Sequence, residues 1–222
     1  MNSPLFQEAQ KLRDNGQIDE AIDTYQRART EALQSNDHLT ASESLHMIGV
    51  AQYQKKDYEA ANKSLFTAQK EFEDQDNEEF TAFVLRDRGL VALKQRNFHG
   101  AEMLLKESIS ILTEVGNAGH LGISYVKLGN VYAERGILNA ALSKILQGIE
   151  ELSKSSDTFF LSSAYFDLAK LCKQKGDTKE ALKAAQKSVA ILNTIGEKHM
   201  FLERKKALDL FIDELKKYST IY

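Results

Sequence analysis

The sequence predicts an all-α protein, built as an array of five similar helix pairs followed by a capping helix. Three observations support this class. When the chain is compared with itself at a shift of 40 residues, five alanines coincide. Apolar residues recur at spacings of three and four, which is the pattern of an amphipathic helix. Alternating β-branched runs bounded by turn pairs, the usual sign of strands, are missing from the sequence. The coinciding alanines are Ala21, Ala61, Ala101, Ala141 and Ala181.

Two further rows of small residues accompany the alanines. One row lies seven residues after each alanine and the other lies twelve residues before it. Glycine or alanine at such positions lets two helix backbones approach closely while larger neighbours fill the flanks. We therefore expect the two helices of each pair to pack tightly against each other at these rows. The rows are Ala28, Ala68, Ser108, Gly148, Ser188 and Ala9, Gly49, Gly89, Gly129, Ala169.

The first helix of each pair has a predictable end. Glycine suits the left-handed residue that closes many helices, whereas lysine and arginine adopt that conformation at some cost. Polar residues such as Asp57, Asn97 and Asp177 follow directly and are good caps for the second helix. The five end residues are Gly16, Lys56, Arg96, Gly136 and Gly176.

An eleventh helix continues the register beyond the fifth pair. Leu208 and Ile212 occupy the positions that Leu128 and Tyr132 occupy in the fourth copy, but Asp209 replaces Gly129. A polar residue in place of the small one is what a terminal capping helix needs. We expect one domain over 1–222, with repeats at about 1–37, 38–77, 78–117, 118–157 and 158–197 and the capping helix at about 199–218. The predicted helices are 3–15, 18–34, 39–55, 58–74, 79–95, 98–114, 119–135, 138–153, 158–175 and 178–194.

Composition narrows the class of protein further. The 222 residues are 42% apolar and 27% charged, with a net charge of −3, so no strong attraction to nucleic acid or an anionic membrane is expected. The single cysteine, Cys172, excludes an intramolecular disulfide and suits a reducing compartment. No signal peptide is evident, and no apolar run is long enough to predict a transmembrane helix. These features indicate a cytoplasmic protein.

The fourth copy carries a family resemblance. A leucine–glycine pair is followed by a tyrosine in the first helix and, after the turn, by an alanine, an isoleucine and a glycine in the second. This pattern resembles the tetratricopeptide repeat (TPR). The usual TPR period is about 34 residues. The longer period of this chain is similar to that of long TPR variants in Pins-type polarity adaptors and bacterial regulators. HEAT and armadillo repeats have a comparable period but would not place three small residues at these offsets. The residues are Leu128, Gly129, Tyr132, Ala141, Ile145 and Gly148.

The resemblance implies a right-handed α-solenoid whose first helices line a concave, ligand-binding face. It also implies that Asn130 holds a bound peptide backbone, as the matching asparagine does in many TPRs. Lys170 and Lys173 could take a carboxylate, and the largely apolar middle of the groove would suit an amphipathic helix. The expected binding residues are His46, Val50, Tyr53, Phe83, Arg86, Leu90, Leu93, Val126, Asn130, Phe166, Lys170 and Lys173.

Two arguments limit this prediction. Part of the surface could be covered by curvature or by the cap, in which case its apolar residues would simply be core. The carboxylate clamp of chaperone-binding TPRs is not reproduced, because Phe6 and Gln10 stand where a lysine and an asparagine would be expected. Binding of chaperone tails is therefore not expected.

Signals of catalysis are poor. The histidines are scattered without a metal-ligand spacing, Cys172 falls at a packing position, and the glycines follow the repeat instead of forming a phosphate-binding loop. We predict a non-catalytic scaffold or adaptor for a protein or peptide, with no catalytic residue, cofactor or metal. Cations at the ends of the first helices could together form a ridge that binds nucleic acid. The C-terminal end of any helix favours cations, however. We therefore expect neither a nucleic-acid nor a membrane partner. The histidines are His38, His46, His99, His120 and His199.

Three other functions stay open at this stage, and one of them, an enzyme, would require a metal or cofactor in the purified protein. The protein could be a peptide-responsive regulator that acts through a partner, as the resemblance to bacterial TPR regulators allows. It could also be a self-assembling structural TPR protein, in which the apolar groove or the capping helix packs against another copy. A fold shared by many proteins does not decide between these functions.

Overall fold

The computed structural model describes residues 3–195 and 199–219, and these residues form eleven α-helices and no strands. Each predicted helix is present, with ends that differ from the prediction by one or two residues. The helices are α1 (Pro4–Asp14), α2 (Ile18–Gln34), α3 (His38–Gln54), α4 (Tyr58–Asp74), α5 (Glu78–Lys94), α6 (Phe98–Val115), α7 (Ala118–Glu134), α8 (Leu138–Lys154), α9 (Thr158–Gln174), α10 (Thr178–Leu192) and α11 (His199–Ser219).

Left-handed residues end the first helices, as predicted. Lys56 and Arg96 have φ angles of 65° and 60°, and the three glycines at the equivalent positions have φ between 75° and 82°. The side chains of Asp57, Asn97 and Asp177 each accept a hydrogen bond from the backbone N–H three residues later. The turn within each pair is therefore closed at one end by a left-handed residue and, in these three copies, capped at the other by a side chain.

The turns between pairs contain left-handed residues that were not predicted. Asn36, Asp76 and Gly116 have φ angles of 56°, 51° and 78°. The turn after α8 is different, because the residue after the helix, Ser155, is extended. Asparagine and aspartate tolerate positive φ better than most residues since their short side chains hydrogen-bond locally.

The small residues mark close helix contacts, as expected. A Cβ atom added to Gly129 would lie 2.6 Å from Ile145 Cγ1 and 3.0 Å from the Ala141 carbonyl oxygen. On the same helix pair, Gly148 faces Gly122, and a Cβ on either would lie within 2.7 Å of the other's carbonyl oxygen. The row to which Gly122 belongs was not anticipated from the sequence; its members are Ser42, Ala82, Gly122 and Ser162.

Serines in these rows tie the paired helices together. Ser162 Oγ donates to the Ser188 carbonyl oxygen at 2.9 Å, and Ser188 Oγ donates to the Ser162 carbonyl oxygen at 2.7 Å. Ser108 Oγ donates to the carbonyl oxygen of Ala82 at 2.8 Å. A hydroxyl that finds a backbone acceptor can be buried without the penalty of an unsatisfied polar group.

The chain divides into two compact units, residues 1–111 and 112–222. In unit 1 the largest fully buried side chains include Tyr25, Leu65 and Phe72. In unit 2 the equivalent set includes Ile145, Leu152 and Leu171. The single domain proposed from the repeat pattern stays a prediction.

Helix α11 packs on the preceding helices of unit 2, in agreement with its predicted role as a cap. Leu208 and Leu215 are buried, and Phe211 and Ile212 pack beside them. Asp209 is exposed. Within residues 3–195 and 199–219, no helix is both long and apolar enough to cross a membrane.

Candidate functional site

Unit 1 presents a half-buried apolar strip on two of its first helices. Helices α3 and α5 contact each other. Residues 50 and 53 of α3 occupy the same repeat positions as residues 90 and 93 of α5, and Phe83 lies two turns before Leu90. All five predicted residues in this group are partly exposed, so they are available to a ligand. We name them the α3/α5 strip: Val50, Tyr53, Phe83, Leu90 and Leu93.

Aromatic contacts hold two members of the strip in place. The Tyr53 ring lies 5.8 Å from the Tyr58 ring, and the Phe83 ring lies 5.4 Å from Phe80. The Arg86 guanidinium carbon is 5.6 Å from the centre of the Phe83 ring. Burial raises the pKa of the Tyr53 hydroxyl, and the nearby Tyr58 and Asp87 add to the effect. Tyr53 therefore remains neutral at physiological pH and adds a hydroxyl to an apolar surface.

A buried polar cluster lies beside the strip. His46 Nε2 is 2.8 Å from Asp87 Oδ2, and Arg86 Nε donates to Asp87 Oδ1 at 3.1 Å. Burial alone would raise the pKa of Asp87, but the Arg86 charge and the hydrogen bond from His46 hold that pKa well below its usual value. The carboxylate therefore stays charged and neutralises Arg86.

The structure corrects the predicted role of two residues. His46 is only 3% exposed and Val126 only 4%. His46 is held by Asp87, and Val126 belongs to the core of unit 2 with Ile123 and Ile145. Neither side chain is accessible enough for direct contact with a ligand, although Arg86 and Phe166 at the same register position are partly exposed. Both instead support the surface from below.

In unit 2, Asn130 is engaged by a residue that sequence reasoning missed. Its Nδ2 donates to Asp167 Oδ2 at 3.0 Å. Burial raises the pKa of Asp167, but the charges of Lys127 and Lys170 and the hydrogen bonds from Lys170 and Asn130 outweigh it and lower that pKa. The side-chain amide of Asn130 is thus already oriented by a charged carboxylate.

The remaining predicted residues of unit 2 form a charged, aromatic edge. The Phe166 ring contacts the Phe211 ring edge-on at 5.4 Å. Lys170 pairs with Asp167 and lies over Phe166, while Lys173 pairs with Glu214 at 2.6 Å. Each lysine therefore has an intramolecular carboxylate partner, which an acidic ligand would have to share.

Asp87 and Asp167 were available to sequence reasoning but were not recognised. They stand at the same position of the third and fifth repeats. In both copies the carboxylate contacts the preceding first helix, at His46 for Asp87 and at Asn130 for Asp167. Comparing the charged residues by register, as the small residues were compared, would have found this pair.

Two features of the described residues bear on chemistry, namely the placement of metal-ligating side chains and the single thiol. No group of three or more histidine, cysteine, aspartate or glutamate side chains is placed to hold a metal ion in the described ranges. Cys172 is 8% exposed, and burial raises the pKa of its thiol. A buried, protonated thiol is a packing group rather than a nucleophile. The side chain of His199 lies outside the described residues.

Several of the cations at the ends of the first helices have partners in the structure. Lys55 pairs with Asp19, and Lys175 Nζ donates to Asn139 Oδ1 at 3.1 Å. The Arg96 guanidinium carbon lies 5.6 Å from the centre of the Phe98 ring. These contacts fit the ordinary stabilising role of cations at helix C-termini.

Comparisons with known proteins agree with the repeat pattern. The sequence pattern of the family described as "MalT-like TPR region" matches residues 15–195. No curated protein sequence matches the chain. Many solved structures are similar in fold.

BtubC (BKLC) from P. vanneervenii is 16% identical and has a TM-score of 0.67, over 86% of this chain and 79% of that one. A STAND protein with a tetratricopeptide repeat sensor from Pyrococcus horikoshii is 15% identical with a TM-score of 0.71, over 94% of this chain and 31% of that one. A chain of the APC/C hetero-tetramer Cut9–Hcn1 is 18% identical with a TM-score of 0.64, over 90% of this chain and 35% of that one. The helix pairs, the small-residue rows and the match over residues 15–195 together show that this chain belongs to the MalT-like TPR family.

Proposed function

We propose that the protein is a non-catalytic scaffold or adaptor that binds a protein or peptide through the faces of its first helices. The observation that carries this proposal is the α3/α5 strip, an apolar surface that is left partly exposed. Its neighbouring charges, Arg86 and Asp87, neutralise each other. Apolar surface rimmed by satisfied polar groups is typical of an interaction site. A TPR fold supports such a role without requiring chemistry.

The strip favours a ligand with an apolar face. The apolar side of an amphipathic helix would pack against Leu90, Leu93 and Phe83, and the Tyr53 hydroxyl would offer a polar contact. On unit 2 we propose a second ligand-binding set, namely Asn130, Phe166, Lys170 and Lys173. The Lys170 side chain is 52% exposed, so its ammonium group can pair with a ligand carboxylate in addition to Asp167.

The relatives support protein binding as a class of function. Cut9 is found in a hetero-tetramer with Hcn1, and the STAND protein's repeat region is described as a sensor. These descriptions concern proteins that share only the fold with this chain. They make a partner-binding role reasonable, and the lone buried Cys172 is compatible with the cytoplasm as the place of action.

A pull-down with matched baits tests the proposal. The baits are the wild type, Leu90→Glu in the α3/α5 strip, and Met103→Glu as control. Met103 is 59% exposed on a second helix, so its variant adds the same charge away from the strip. We expect a partner identified by mass spectrometry to be retained by the wild type and the control and lost by Leu90→Glu. Retention by all three baits would exclude the strip as the binding surface.

The two alternative functions, self-assembly and peptide-responsive regulation, predict different results for the same purified protein. A self-assembling protein would capture only its own chain, and light scattering over a dilution series would show a mass that rises with concentration. A peptide-responsive regulator would bind a short peptide, and its complex with a second protein would change when the peptide is added. Circular dichroism of each bait shows whether the variant is still folded.

A further inference from the structure

Arg88 differs from the aliphatic residues that most copies carry at its register position. That position lies directly before the small residue that packs against the second helix. The second, fourth and fifth copies hold Ile48, Leu128 and Leu168 there, while the first copy has the exposed Glu8. Ile48 and Leu128 are buried core residues at 4% and 1% exposure. The third repeat therefore places a guanidinium where an aliphatic side chain would pack without any desolvation penalty.

A second polar residue accompanies Arg88. Gln69 is 7% exposed, at a position where the next copies have Ile109 and Ile149. Arg88 Nη1 donates to Gln69 Oε1, and Gln69 Nε2 donates to Glu73 Oε1 at 2.5 Å. The pair forms a polar chain that leads from the interior of unit 1 to its surface.

This chain does not satisfy the arginine. The Nε atom of Arg88 is buried and has no hydrogen-bond partner among the described residues. Burial lowers the pKa of Arg88, although Glu107 and Glu73 partly compensate. A guanidinium has five N–H donors; because Nε is buried, a further acceptor would be reached by the outer nitrogens Nη1 and Nη2. Replacing such a buried polar group by a hydrocarbon of similar size is often stabilising, which argues that packing is not the reason for Arg88.

The arginine emerges beside an exposed aromatic ring. Phe66, on the solvent-facing side of α4, is 47% exposed. The Arg88 guanidinium carbon lies 5.0 Å from the centre of that ring, and Lys70 Nζ lies 5.7 Å from it. Lys63 is exposed one turn before Phe66. Two cations therefore contact the ring, and Lys63 lies one turn away. The opposing charges are Glu73, which pairs with Lys70 at 3.0 Å, and Glu107.

We propose that Phe66, Lys70 and Arg88 form a further protein-binding surface, separate from the α3/α5 strip and from the set on unit 2, which takes an acidic segment of a partner. An apolar side chain of that segment would pack on the Phe66 ring, and a neighbouring carboxylate would accept hydrogen bonds from Arg88 and Lys70. The positive charge of Lys63, Lys70 and Arg88 favours an acidic partner over a basic or neutral one. Places where a local packing rule is broken are expected at functional sites.

The repeat supplies a matched control for this surface. Leu146 stands at the position of Phe66 two repeats later and is 48% exposed, but its neighbour at the position of Arg88 is Leu168. The two sites thus share exposure and apolar character and differ in all three cations, because Ser143, Glu150 and Leu168 stand where the first site has Lys63, Lys70 and Arg88. A ligand that needs only an exposed apolar side chain would use both.

The test uses two fluorescein-labelled peptides and measures fluorescence anisotropy. One peptide contains glutamate and aspartate interleaved with leucine and phenylalanine, and the other has glutamine and asparagine in place of the acids. We expect the full-length protein to bind the acidic peptide at least about tenfold more tightly than the amide peptide. We expect Phe66→Ser, and the double variant Arg88→Leu with Gln69→Ile, each to weaken that binding about tenfold, while Leu146→Ser has no effect.

The outcomes are distinguishable from a failure of the α3/α5 strip. The proposal is overturned if the acidic peptide does not bind at about 1 mM, if it binds no better than the amide peptide, or if Leu90→Glu abolishes binding that Phe66→Ser leaves intact. The double variant restores side chains that other copies already carry, so it should fold. If it does not, Phe66→Ser and Lys70→Glu lie at exposed positions and decide the question.

Discussion

His46 and Asp87 are 41 residues apart in the chain and share a hydrogen bond of 2.8 Å between Nε2 and Oδ2. The contact joins the first helices of the second and third repeats. Arg86 completes the pairing from the other side of the carboxylate. A charged group thus lies between successive repeats, and its removal takes a charged partner from Arg86.

Replacing Asp87 by Asn tests this contact. We expect a loss of about 2 kcal/mol at pH 7, because Arg86 loses a buried charged partner. Since folding lowers the pKa of Asp87, its contribution is complete above the unfolded pKa of about 4 and is lost as the pH falls towards the folded value. The stability difference between wild type and variant should therefore shrink below about pH 4.

Urea unfolding between pH 7 and pH 3 measures this difference. Asp213→Asn, an exposed carboxylate on α11, is the control and should change stability little at any pH. A difference for Asp87→Asn that stays constant over the whole range would show that the charge of the carboxylate is not what stabilises the contact.

Gly148→Ala should destabilise unit 2. The new methyl group would lie 2.6 Å from the Gly122 carbonyl oxygen and 2.5 Å from Val126 Cγ2, and the backbone cannot give way without separating the two helices. We expect a loss of about 1–3 kcal/mol by overpacking, measured by thermal or denaturant unfolding.

The chain contains a glycine that should respond in the opposite way. Gly100 is near the start of α6, where an added Cβ would meet only the Asn97 side chain. Ala60 occupies the same position in the second repeat and keeps the same capping hydrogen bond. Gly100→Ala should therefore be neutral or stabilising by up to about 1 kcal/mol. Equal losses for both variants would contradict the close contact of Gly122 and Gly148.

Lys56→Gly and Arg96→Gly should each stabilise the protein. Both residues have positive φ, a conformation that costs a non-glycine residue about 1–2 kcal/mol. Part of that gain is offset by the greater freedom of glycine in the unfolded chain. We expect a net gain of about 0.5–1 kcal/mol for each variant, seen as a higher midpoint in thermal unfolding.

The reciprocal change gives the control. Gly136 has a φ of 75° at the equivalent turn of the fourth repeat. Gly136→Lys should lose about 1 kcal/mol for the same reason. If the lysine and glycine variants move the midpoint in the same direction, the conformation of this turn is not what limits its stability.

Tyr25→Phe should be neutral or stabilising. The Tyr25 side chain is fully buried, and its hydroxyl has no hydrogen-bond partner among the described residues. Burial raises its pKa to about 12. Removing an unsatisfied hydroxyl relieves a penalty of about 1 kcal/mol or more, while the ring keeps its edge contact with Phe6 at 5.4 Å.

Chemical denaturation of this variant gives a clear answer. A loss of more than about 1 kcal/mol would mean that the hydroxyl has a partner, such as a buried water molecule. Ultraviolet titration of the tyrosines gives a second measurement, because Tyr25 should ionise last in the folded wild type and that step should vanish in the variant.

The helices and their turns were predictable because they depend on local chemistry that recurs in every copy. Five alanines in one register, a left-handed residue such as Lys56 at each turn and a polar cap such as Asp57 return with the period of the repeat, so each copy supports the others. The predicted close packing at Gly129 was correct for the same reason. The facing row of Gly122 was missed, because it becomes visible only when one knows which residue lies opposite Gly148.

The binding surface was less predictable. Register alone placed His46 and Val126 on the ligand-binding face, but both are buried, His46 against the adjacent first helix and Val126 in the core of unit 2. Register identified Asn130, Lys170 and Lys173 without the carboxylates that hold them, Asp167 and Glu214. Exposure and pairing are properties of neighbours that belong to the adjacent repeat, and a pattern within one repeat does not contain them.

By itself the sequence determined that this protein is an array of helix pairs with a small-residue seam and a final capping helix, since propensity, spacing and turn chemistry are local. Only the tertiary structure decided which apolar residues remain accessible, as Leu90 does and Val126 does not. It also showed that Arg88 reaches the surface at Phe66 through a core position. These outcomes depend on how side chains from different repeats share the same space, which is settled by packing and burial rather than by local preference.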